Sequence, residues 1–380
     1  MLSQQTREII KATVPVLEQH GQEITTVFYA HLFEAHPELL NIFNKTNQQQ
    51  GRQQAALAQT VLAAAKHIDH LEAIVPNVNQ IAHKHRALQV KAEHYPIVGE
   101  HLIYAIKEVL GDAATPDIIT AWTEAYGEIA DVFIQMEKAL YEEEEWHDFK
   151  PFKVTAIKRE SAHIKSFTVK PVNDIKLKAV VPGQYITVKV HPEDEQNDML
   201  RHYSICTHDV TDGIQFAVKR DVAGAQKGIV SNYLHDKVTV GDELLLSAPA
   251  GEFTLQSADQ PLVFLSGGVG MTPLMAMLQS SADKQVTFIH SAYNRAEVPF
   301  KDEITAFHGQ ENIQFYFNYS EEAGRLTADK LRQVMTGNEA IYMCGSVSFM
   351  ESMLVILDEL GIDRTNIHFE PFGPKMSITA

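Results

Sequence analysis

The spacing of hydrophobic residues divides the chain into parts with different secondary structure. In residues 1 to about 145, apolar side chains recur every three or four positions, the period of a helix with one buried face. The clearest predicted helix begins at Thr115-Pro116, an N-cap residue followed by proline at the first helical position. It continues to Leu140 and ends in the acidic run 142–145. We therefore predict an all-helical first part followed by a solvated acidic linker.

A different pattern begins at Phe152. Short stretches of alternating apolar residues are separated by Pro, Gly and Asp, which predicts antiparallel strands at 152–154, 164–169, 185–188 and 214–218. After Pro261, apolar strands alternate with helical stretches, which predicts a parallel sheet with strands at 262–265, 286–289, 313–317 and 341–343. The predicted fold is multidomain: an all-α domain over 1–140, an antiparallel β-barrel over 150–255 and an α/β parallel-sheet domain over 256–380.

Charge and cysteine content exclude several classes of function. The net charge of -17 argues against nucleic acid and anionic lipid as partners. No apolar run approaches the roughly 18 residues of a membrane span, and residues 1–5 lack the features of a secretory signal, so we expect a cytoplasmic protein. Cys206 and Cys344 are the only cysteines, too few for a disulfide framework or a four-cysteine iron–sulfur cluster. We predict no obligatory protein partner and a monomer.

A glycine-rich turn joins an apolar strand to an apolar helix. Its sequence is Ser266-Gly267-Gly268-Val269-Gly270-Met271-Thr272-Pro273. Glycines let the backbone approach a pyrophosphate, and the free N–H groups of a helix that begins at Thr272-Pro273 attract the anion. The alternative is a tight strand-to-helix connection without a ligand. The strand–turn–helix context favours the nucleotide.

Three further segments are notable beside the glycine-rich turn. They are Arg201-His202-Tyr203-Ser204, Pro182-Gly183-Gln184-Tyr185 and Gly228-Ile229-Val230-Ser231. With the turn that ends in proline, they resemble the ferredoxin-NADP-reductase family. The resemblance implies that Arg201 pairs with the FAD phosphate, Tyr203 packs on the flavin ring and Ser204 bonds near its N5. An ordinary barrel strand with alternating side chains is the alternative interpretation.

The same resemblance extends to the end of the chain. Cys344-Gly345 follows a predicted parallel strand at the place where the family positions nicotinamide, although Cys344 also suits a buried small residue. The segment 370–374 resembles the one that closes over the flavin. The residues implied to bind FAD or NAD(P)H are Tyr185, Arg201, His202, Tyr203, Ser204, Gly228, Ser231, Gly267, Gly268, Val269, Gly270, Met271, Thr272, Cys344, Glu370, Pro371, Phe372, Gly373 and Pro374.

The helical part offers one candidate haem ligand. Val78, Ile81, His85 and Leu88 fall on one helical face, which directs His85 toward an apolar interior. His83 lies on a polar face. Because the chain has 18 histidines, position alone leaves His85 open to a surface or core role. No Cys-x-x-Cys-His motif is present, so a haem would be non-covalent haem b.

The positions of Tyr29, Phe43, Gln53, Leu57 and His85 resemble those of bacterial flavohaemoglobins, and this resemblance extends along essentially the whole chain. Glu137 lies between Phe133 and Leu140 on an apolar face, so its carboxylate needs a partner unless it is half exposed. The resemblance implies that Tyr95 and Glu137 interact with His85, the iron ligand, and increase its electron donation. It also implies that Tyr29 and Gln53 hydrogen-bond O2. The remaining haem-contacting residues are implied to be Phe43, Leu57 and Lys84.

The resemblance implies a nitric oxide dioxygenase that converts NO and O2 to nitrate, with electrons passing from NAD(P)H through FAD to haem. The residues alone support a haem–flavin oxidoreductase. An O2 sensor or store, and a flavin reductase acting on peroxides, quinones or a partner protein, are the alternatives. Residues 290–295, after the second parallel strand, lack the acidic side chain that would select NADH, so the choice between NADH and NADPH stays open.

Overall fold

The computed structural model describes residues 2–43, 52–221, 228–256 and 260–373. The chain divides into two compact units, 1–148 with 191–200, and 149–190 with 201–380. The first contains the long helices, and the second contains two β-sheets. No described helix is long and apolar enough to cross a membrane.

The predicted helical domain is confirmed. Its helices are α1 (Gln4–Ala35), α2 (Arg52–Lys66), α3 (Val75–Ala87), α4 (His94–Leu110) and α5 (Pro116–Glu142). Helix α5 begins where its sequence predicts, because the Thr115 hydroxyl accepts a hydrogen bond from the backbone N–H of Ile118 at 3.4 Å. The indole N–H of Trp122, on the buried face of α5, donates to the hydroxyl of Thr13 on α1 at 3.2 Å.

The prediction that the acidic run after α5 is solvated is wrong at Glu144. Its side chain is fully buried and accepts a hydrogen bond at 3.1 Å from Arg86, which is itself 4% exposed on α3. Burial raises the pKa of Glu144, against the opposing effect of Arg86. A buried guanidinium needs a carboxylate partner, and the sequence separation of these two residues hides that need.

The predicted antiparallel barrel is confirmed as a six-stranded sheet in the order β4-β3-β6-β1-β2-β5. Its strands are β1 (Lys150–Arg159), β2 (Ile164–Pro171), β3 (Tyr185–Val190), β4 (Met199–Ser204), β5 (Ile214–Lys219) and β6 (Glu243–Leu246). Ile205, next to the edge strand β4, pairs with Phe216 in the opposite edge strand β5. This bridge closes the sheet, which leaves the core lined by inward residues such as Phe152 and Phe167. Helix α6 (Ile229–Asp236) follows β5.

The predicted parallel sheet is also confirmed, in the order β11-β10-β7-β8-β9. Its strands are β7 (Leu262–Gly267), β8 (Val286–Ala292), β9 (Ile313–Tyr319), β10 (Ala340–Gly345) and β11 (Ile367–Pro371). The helices between and beside them are α7 (Met271–Gln279), α8 (Lys301–Ala306), α9 (Ser320–Ala323), α10 (Ala328–Arg332) and α11 (Val347–Glu359).

The strand order has a consequence for ligand binding. From β7 the chain proceeds outward through β8 and β9, and then returns to place β10 on the other side of β7. Such a reversal opens a crevice at the carboxyl ends of the two strands concerned, where open α/β sheets bind their ligands. Gly267 ends β7 and Gly345 ends β10, so both border this crevice.

Candidate functional site

His85 lies in a hydrogen-bonded triad with residues from two other helices. Its Nδ1 is 2.7 Å from the Glu137 Oε1 and 3.2 Å from the Tyr95 hydroxyl. The same Glu137 oxygen accepts a 2.6 Å hydrogen bond from Tyr95. Glu137 is 2% exposed, whereas the side chain of His85 is 31% exposed. A buried carboxylate with two donors is well satisfied, and it fixes both the tautomer and the orientation of the imidazole.

Tyr95 is held as a hydrogen-bond donor in this triad. Burial, then the charge of Glu137, raises its pKa well above the usual range. Its backbone carbonyl accepts a 2.6 Å hydrogen bond from the hydroxyl of Tyr126 on α5. Tyr126 fits because Gly99 faces it: a Cβ at position 99 would lie 2.5 Å from the ring. Sequence analysis missed both residues: Tyr126 lies on α5, where the apolar face of the helix is its signal, whereas Gly99 on α4 has no signal in its own spacing.

The chemistry of this triad fits a haem ligand. With Nδ1 bonded to Glu137, the Nε2 of His85 has no hydrogen-bond partner among the described residues. An imidazole held at one nitrogen by a carboxylate and free at the other is the usual arrangement of a protein metal ligand. Lys84 is half-buried beside it on α3. Both cysteines are fully buried in the β-sheet unit, in keeping with a non-covalent haem b.

Tyr29 lies in an aromatic cluster on α1. Its ring centroid is 5.7 Å from those of Phe33 and Phe43, and 4.8 Å from that of Phe28. The side chain is 8% exposed, and burial raises the pKa of its hydroxyl above the usual range, so the group stays protonated. Among the described residues the hydroxyl has no hydrogen-bond partner. It is therefore a donor available to a ligand.

Gln53 and Leu57 lie on α2, which contacts α1 near Tyr29. The hydroxyl of Thr25 donates to the backbone carbonyl of Gln54 at 3.0 Å, and Leu57 packs on the same apolar cluster as Tyr29. The Oε1 of Gln53 is buried and has no partner within the described ranges. An orphaned amide oxygen and a free phenol in apolar surroundings fit a pocket that holds a polar ligand.

The predicted flavin residues lie on the neighbouring strands β3 and β4. The ring of Tyr185 packs on Gly251, where a Cβ would lie 2.9 Å from it, and lies 4.8 Å from the ring of His202. His202 also bonds Thr187 at 2.8 Å. Gly251 was missed by sequence analysis, although its φ of +114° explains why glycine ends the Ala250-Gly251 turn.

The other strand residues have the chemistry that FAD requires. Arg201 is half-buried, and burial lowers the pKa of its guanidinium, which makes a phosphate a favourable neighbour. The Tyr203 ring stacks on Phe216 at 5.5 Å, and burial raises the pKa of its hydroxyl. Ser204 follows at the end of β4.

A helix N-terminus lies in the same unit. Gly228 is the N-cap of α6, and no described residue caps the first turn with its side chain, which is the arrangement of a helix N-terminus that binds an anion. The hydroxyl of Ser231 in the first turn donates to the carbonyl of Gly228 at 3.0 Å. These features fit the implied role of Gly228 and Ser231 in cofactor binding, in which the helix N-terminus would hold the FAD pyrophosphate.

The glycine-rich turn lies at the crevice between β7 and β10. Gly268 has a φ of +56° and faces open space, whereas a Cβ on Gly270 would lie 2.1 Å from the carbonyl oxygen of Cys344. Val269 accepts a 2.9 Å hydrogen bond from the Thr272 hydroxyl. Helix α7 begins at Met271, one residue earlier than predicted. The turn thus leaves its backbone accessible on one side and is packed against β10 on the other.

Cys344 contributes to this crevice through its backbone. Its side chain is fully buried, and burial raises the pKa of the thiol. Glu370 on β11 is its register partner, and Phe372 donates its backbone N–H to the Gly345 carbonyl at 2.8 Å. The predicted closing segment therefore reaches the end of β10. Pro371 is buried and Gly373 is exposed, while Pro374 lies outside the described residues.

Comparison with known proteins assigns each part of the chain to a family. The globin model matches residues 26–133, the oxidoreductase FAD-binding domain model matches 151–255, and the oxidoreductase NAD-binding domain model matches 264–354. Together they account for the haem, flavin and dinucleotide features described above.

Two relatives match the chain along almost its whole length. A flavohaemoprotein of Halalkalibacterium halodurans is 45% identical over 405 aligned residues, covering 100% of this chain and 98% of the relative. The crystal structure of a flavohaemoglobin from Malassezia yamatoensis, with bound FAD and haem, superimposes with a TM-score of 0.89 at 28% identity, covering 98% of this chain and 100% of that one.

The β-sheet unit has a relative of its own. The flavohaem-like FAD/NAD-binding domain of a nitric oxide dioxygenase from Vibrio cholerae matches 60% of this chain and 100% of that one, at 31% identity and a TM-score of 0.56. The protein described here is an NAD(P)H-dependent oxidoreductase whose cofactors are haem, FAD and NAD(P)H. With this identity over its full length, the chain belongs to the flavohaemoprotein family.

Proposed function

We propose that this protein is a nitric oxide dioxygenase, which combines NO with O2 to give nitrate at the expense of NAD(P)H. The electron balance is consistent: each nitrate formed takes up one electron, so one NAD(P)H supports two. Haem iron binds O2 and accepts single electrons, and FAD divides the hydride of NAD(P)H into such electrons. The chain carries a matched domain for each cofactor.

The observation that carries the proposal concerns two polar groups on α1 and α2, helices that pack in an apolar cluster. The Tyr29 hydroxyl and the Gln53 amide oxygen both lack partners among the described residues. A phenol that stays protonated can donate to O2 and stabilise the negative charge that develops on it. We assign this donor role to the Tyr29 hydroxyl and to the amide N–H of Gln53, with Phe43 and Leu57 as apolar contacts of the haem.

The triad on α3, α4 and α5 contains the proposed iron ligand. Glu137 accepts from His85 and Tyr95, so it holds the imidazole and increases electron donation through its other nitrogen. Such donation favours the transfer of charge to O2. We assign His85 as the sole protein ligand of iron, with Tyr95 and Glu137 as its positioning residues.

The resemblance to the Vibrio cholerae nitric oxide dioxygenase domain supports the same reaction. We also propose that the domains span 1–140, 150–255 and 256–380, close to the matched family models. Since one chain carries every cofactor-binding domain, we propose that it acts as a monomer. The cytoplasm, where NAD(P)H is regenerated, is its proposed location.

Nitrate formation tests the proposal. The purified holoprotein, supplied with NADH or NADPH, O2 and NO, is expected to form nitrate with one NAD(P)H consumed per two nitrates. Tyr29→Phe removes one charge-assisted hydrogen bond, worth roughly 1.5–3 kcal/mol. O2 should therefore dissociate about one to two powers of ten faster, and nitrate yield at low O2 should fall.

Tyr104→Phe, at an exposed tyrosine on α4, is the matched control and should change neither quantity. NAD(P)H reduction of the haem should persist in Tyr29→Phe, because its flavin residues are untouched. A wild-type protein that forms no nitrate, while reducing its haem normally, would overturn the dioxygenase proposal.

A further inference from the structure

A buried serine–histidine pair includes Ser266, the residue before the first glycine of the glycine-rich turn. The Oγ of Ser266 and the Nδ1 of His290 are 2.7 Å apart, and neither side chain has exposed surface. Ser266 is the register partner of His290 on β8 and of Cys344 on β10. The three residues form one row across β8, β7 and β10, and the last two of these strands border the dinucleotide crevice.

His290 is an expensive residue to bury at this position. Burial lowers its pKa to about 3, so the imidazole is neutral at physiological pH and carries a single N–H. Its Nε2 is buried and has no partner among the described residues. An apolar side chain would fill the space without an orphaned nitrogen. The property that His290 supplies is therefore its contact with Ser266.

Ser266 leads directly into a turn that is packed closely on two sides. A Cβ on Gly267 would lie 2.9 Å from the Phe349 ring, and one on Gly270 would lie 2.1 Å from the Cys344 carbonyl oxygen. Between these contacts the backbone has little freedom to compensate for a shift. A change in the position of Ser266 is therefore transmitted to the backbone that faces the crevice.

We propose that His290 is a positioning residue for the nicotinamide dinucleotide, acting through Ser266 to hold the Gly267–Gly270 turn in its binding conformation. This inference rests on the proposed role of that turn in binding NAD(P)H. His290 thereby becomes a determinant of dinucleotide affinity on β8, a strand that carries no other residue proposed to bind the cofactor.

Two amide substitutions separate the nitrogens of the ring. His290→Asn places an amide atom near the position of Nδ1 and retains a partner for Ser266. His290→Gln reaches the position of Nε2 instead and loses that partner. Because a neutral hydrogen bond contributes a modest net free energy, we expect His290→Gln and Ser266→Ala to weaken dinucleotide binding about three- to tenfold. His290→Asn should stay within about twofold.

Binding is measured by calorimetric titration of the full-length oxidised holoprotein with NAD+ and with NADP+. The KM for NAD(P)H with ferricyanide as electron acceptor gives a second readout, which is expected to rise while kcat holds. Ser281→Ala is the matched control, because the Ser281 hydroxyl is equally buried but has no partner within the described ranges. The double variant His290→Gln, Ser266→Ala should bind no more weakly than either single variant, since one bond is lost in all three.

The proposal is overturned if His290→Asn weakens binding as much as His290→Gln, if Ser281→Ala weakens it equally, or if the two single effects add. It is also overturned if neither oxidised dinucleotide binds the wild-type protein and the KM values are unchanged. Thermal midpoints and FAD content are recorded for every variant, so a general loss of folding is recognised. Neither readout uses NO or the haem, so a failure of the dioxygenase proposal would leave this test intact.

Discussion

At the scale of single residues, the Glu137 carboxylate is the centre of the proximal triad. It accepts from the Tyr95 hydroxyl at 2.6 Å and lies 2.7 Å from His85 Nδ1. The two donors compete for the same oxygen, so each weakens what the carboxylate offers the other. Substitution of the acceptor and substitution of the competing donor should therefore act on the iron in opposite directions.

Glu137→Gln is expected to raise the haem midpoint potential, because an amide oxygen accepts a weaker hydrogen bond from the imidazole N–H than a carboxylate does. The imidazole then donates less to the iron and stabilises the ferric state less. Outer-shell substitutions of this kind change metal affinity or activity by about 10- to 100-fold. A tenfold change in a one-electron equilibrium corresponds to about 59 mV. Spectroelectrochemical titration measures the shift in midpoint potential. The iron–histidine stretching frequency should fall as the potential rises.

Tyr95→Phe is the companion variant and should lower the potential or leave it unchanged, since the Glu137–His85 contact then has no competitor. A rise of equal size in both variants would mean that the pocket merely loosens.

Residues such as these were predictable in part from sequence. Glu137 has the signal of a carboxylate between Phe133 and Leu140 on an apolar face.

Other residues of the site give no local signal. Ser266 and His290 belong to different strands, and only the parallel register brings them together. Arg86 and Glu144 are likewise paired across 58 positions, so the acidic run reads as solvated until its partner is seen. Contacts of this kind depend on tertiary packing, which periodicity does not encode.

At the scale of elements, the sequence predicts the helices and strands that show a regular spacing of apolar residues. It does not predict strands whose position depends on pairing with residues distant in sequence. Helix α5 and strands β7 to β10 follow from apolar spacing, and the start of α5 follows from its cap. Strands β6 and β11 were not predicted. The first has only four residues, and the second takes its place from parallel pairing with β10.

The glycine-rich turn allows a sharp test of the dinucleotide site. Gly270 is a poor probe, because a side chain there would displace the Cys344 carbonyl and disturb β10 as well as the ligand. Gly268→Ala is better, since its Cβ would enter open space at a φ of +56°. We expect a raised KM for NAD(P)H, with FAD content unchanged and a stability cost of about 1 kcal/mol from the left-handed backbone.

Gly361→Ala provides the matched control, because Gly361 has a φ of +72° and also faces open space, but follows α11 away from the turn. It should show the same stability cost without a change in KM. Equal KM values in the two variants would remove the Gly267–Gly270 turn from the dinucleotide site. Denaturant unfolding and steady-state kinetics with ferricyanide supply the two measurements.

The contact between α1 and α4 predicts a pH dependence. His101 on α4 is buried, and its Nδ1 lies 2.7 Å from Nδ1 of His31, whose ring stacks on Tyr104. Burial, then the neighbouring His31 and His36, lowers the pKa of His101 below its usual 6.5, against the small opposing effect of Glu100. The unfolded chain therefore binds a proton at His101 more readily than the folded chain does. The contribution of His101 to the free energy of unfolding is complete above pH 6.5 and is lost as the pH falls below that value.

His101→Gln keeps a hydrogen-bonding side chain but cannot be protonated. We expect the thermal midpoint, followed by haem absorbance, to decline less between pH about 7 and about 5.5 in this variant than in wild type. His20→Gln, at a half-exposed position paired with Glu23, is the control and should keep the wild-type slope. Parallel slopes in all three proteins would exclude His101 as the source.

At the scale of the whole molecule, the chain combines a two-electron donor and a one-electron acceptor through its flavin. Two variants should separate the halves of this pathway. His85→Ala is expected to lose haem but keep FAD and the reduction of ferricyanide by NAD(P)H. His83→Ala should keep both haem and FAD. Arg201→Ala is expected to lose FAD and keep a haem that dithionite reduces but NAD(P)H does not. Full FAD occupancy in Arg201→Ala would remove this residue from the flavin site.

Mixing these two variants tests whether one chain suffices. In the wild type, the tether between the domains gives the electron donor an effective concentration of about millimolar at its acceptor. At about micromolar protein, donor and acceptor on separate chains meet about a thousandfold less often, so the mixture of His85→Ala and Arg201→Ala should form almost no nitrate. The wild type at the same total concentration is the reference, and its rate per molecule should be independent of dilution. If the mixture instead restores nitrate formation to a large fraction of the wild-type rate, electrons pass between chains, and the proposal that the protein acts as a self-sufficient monomer is wrong.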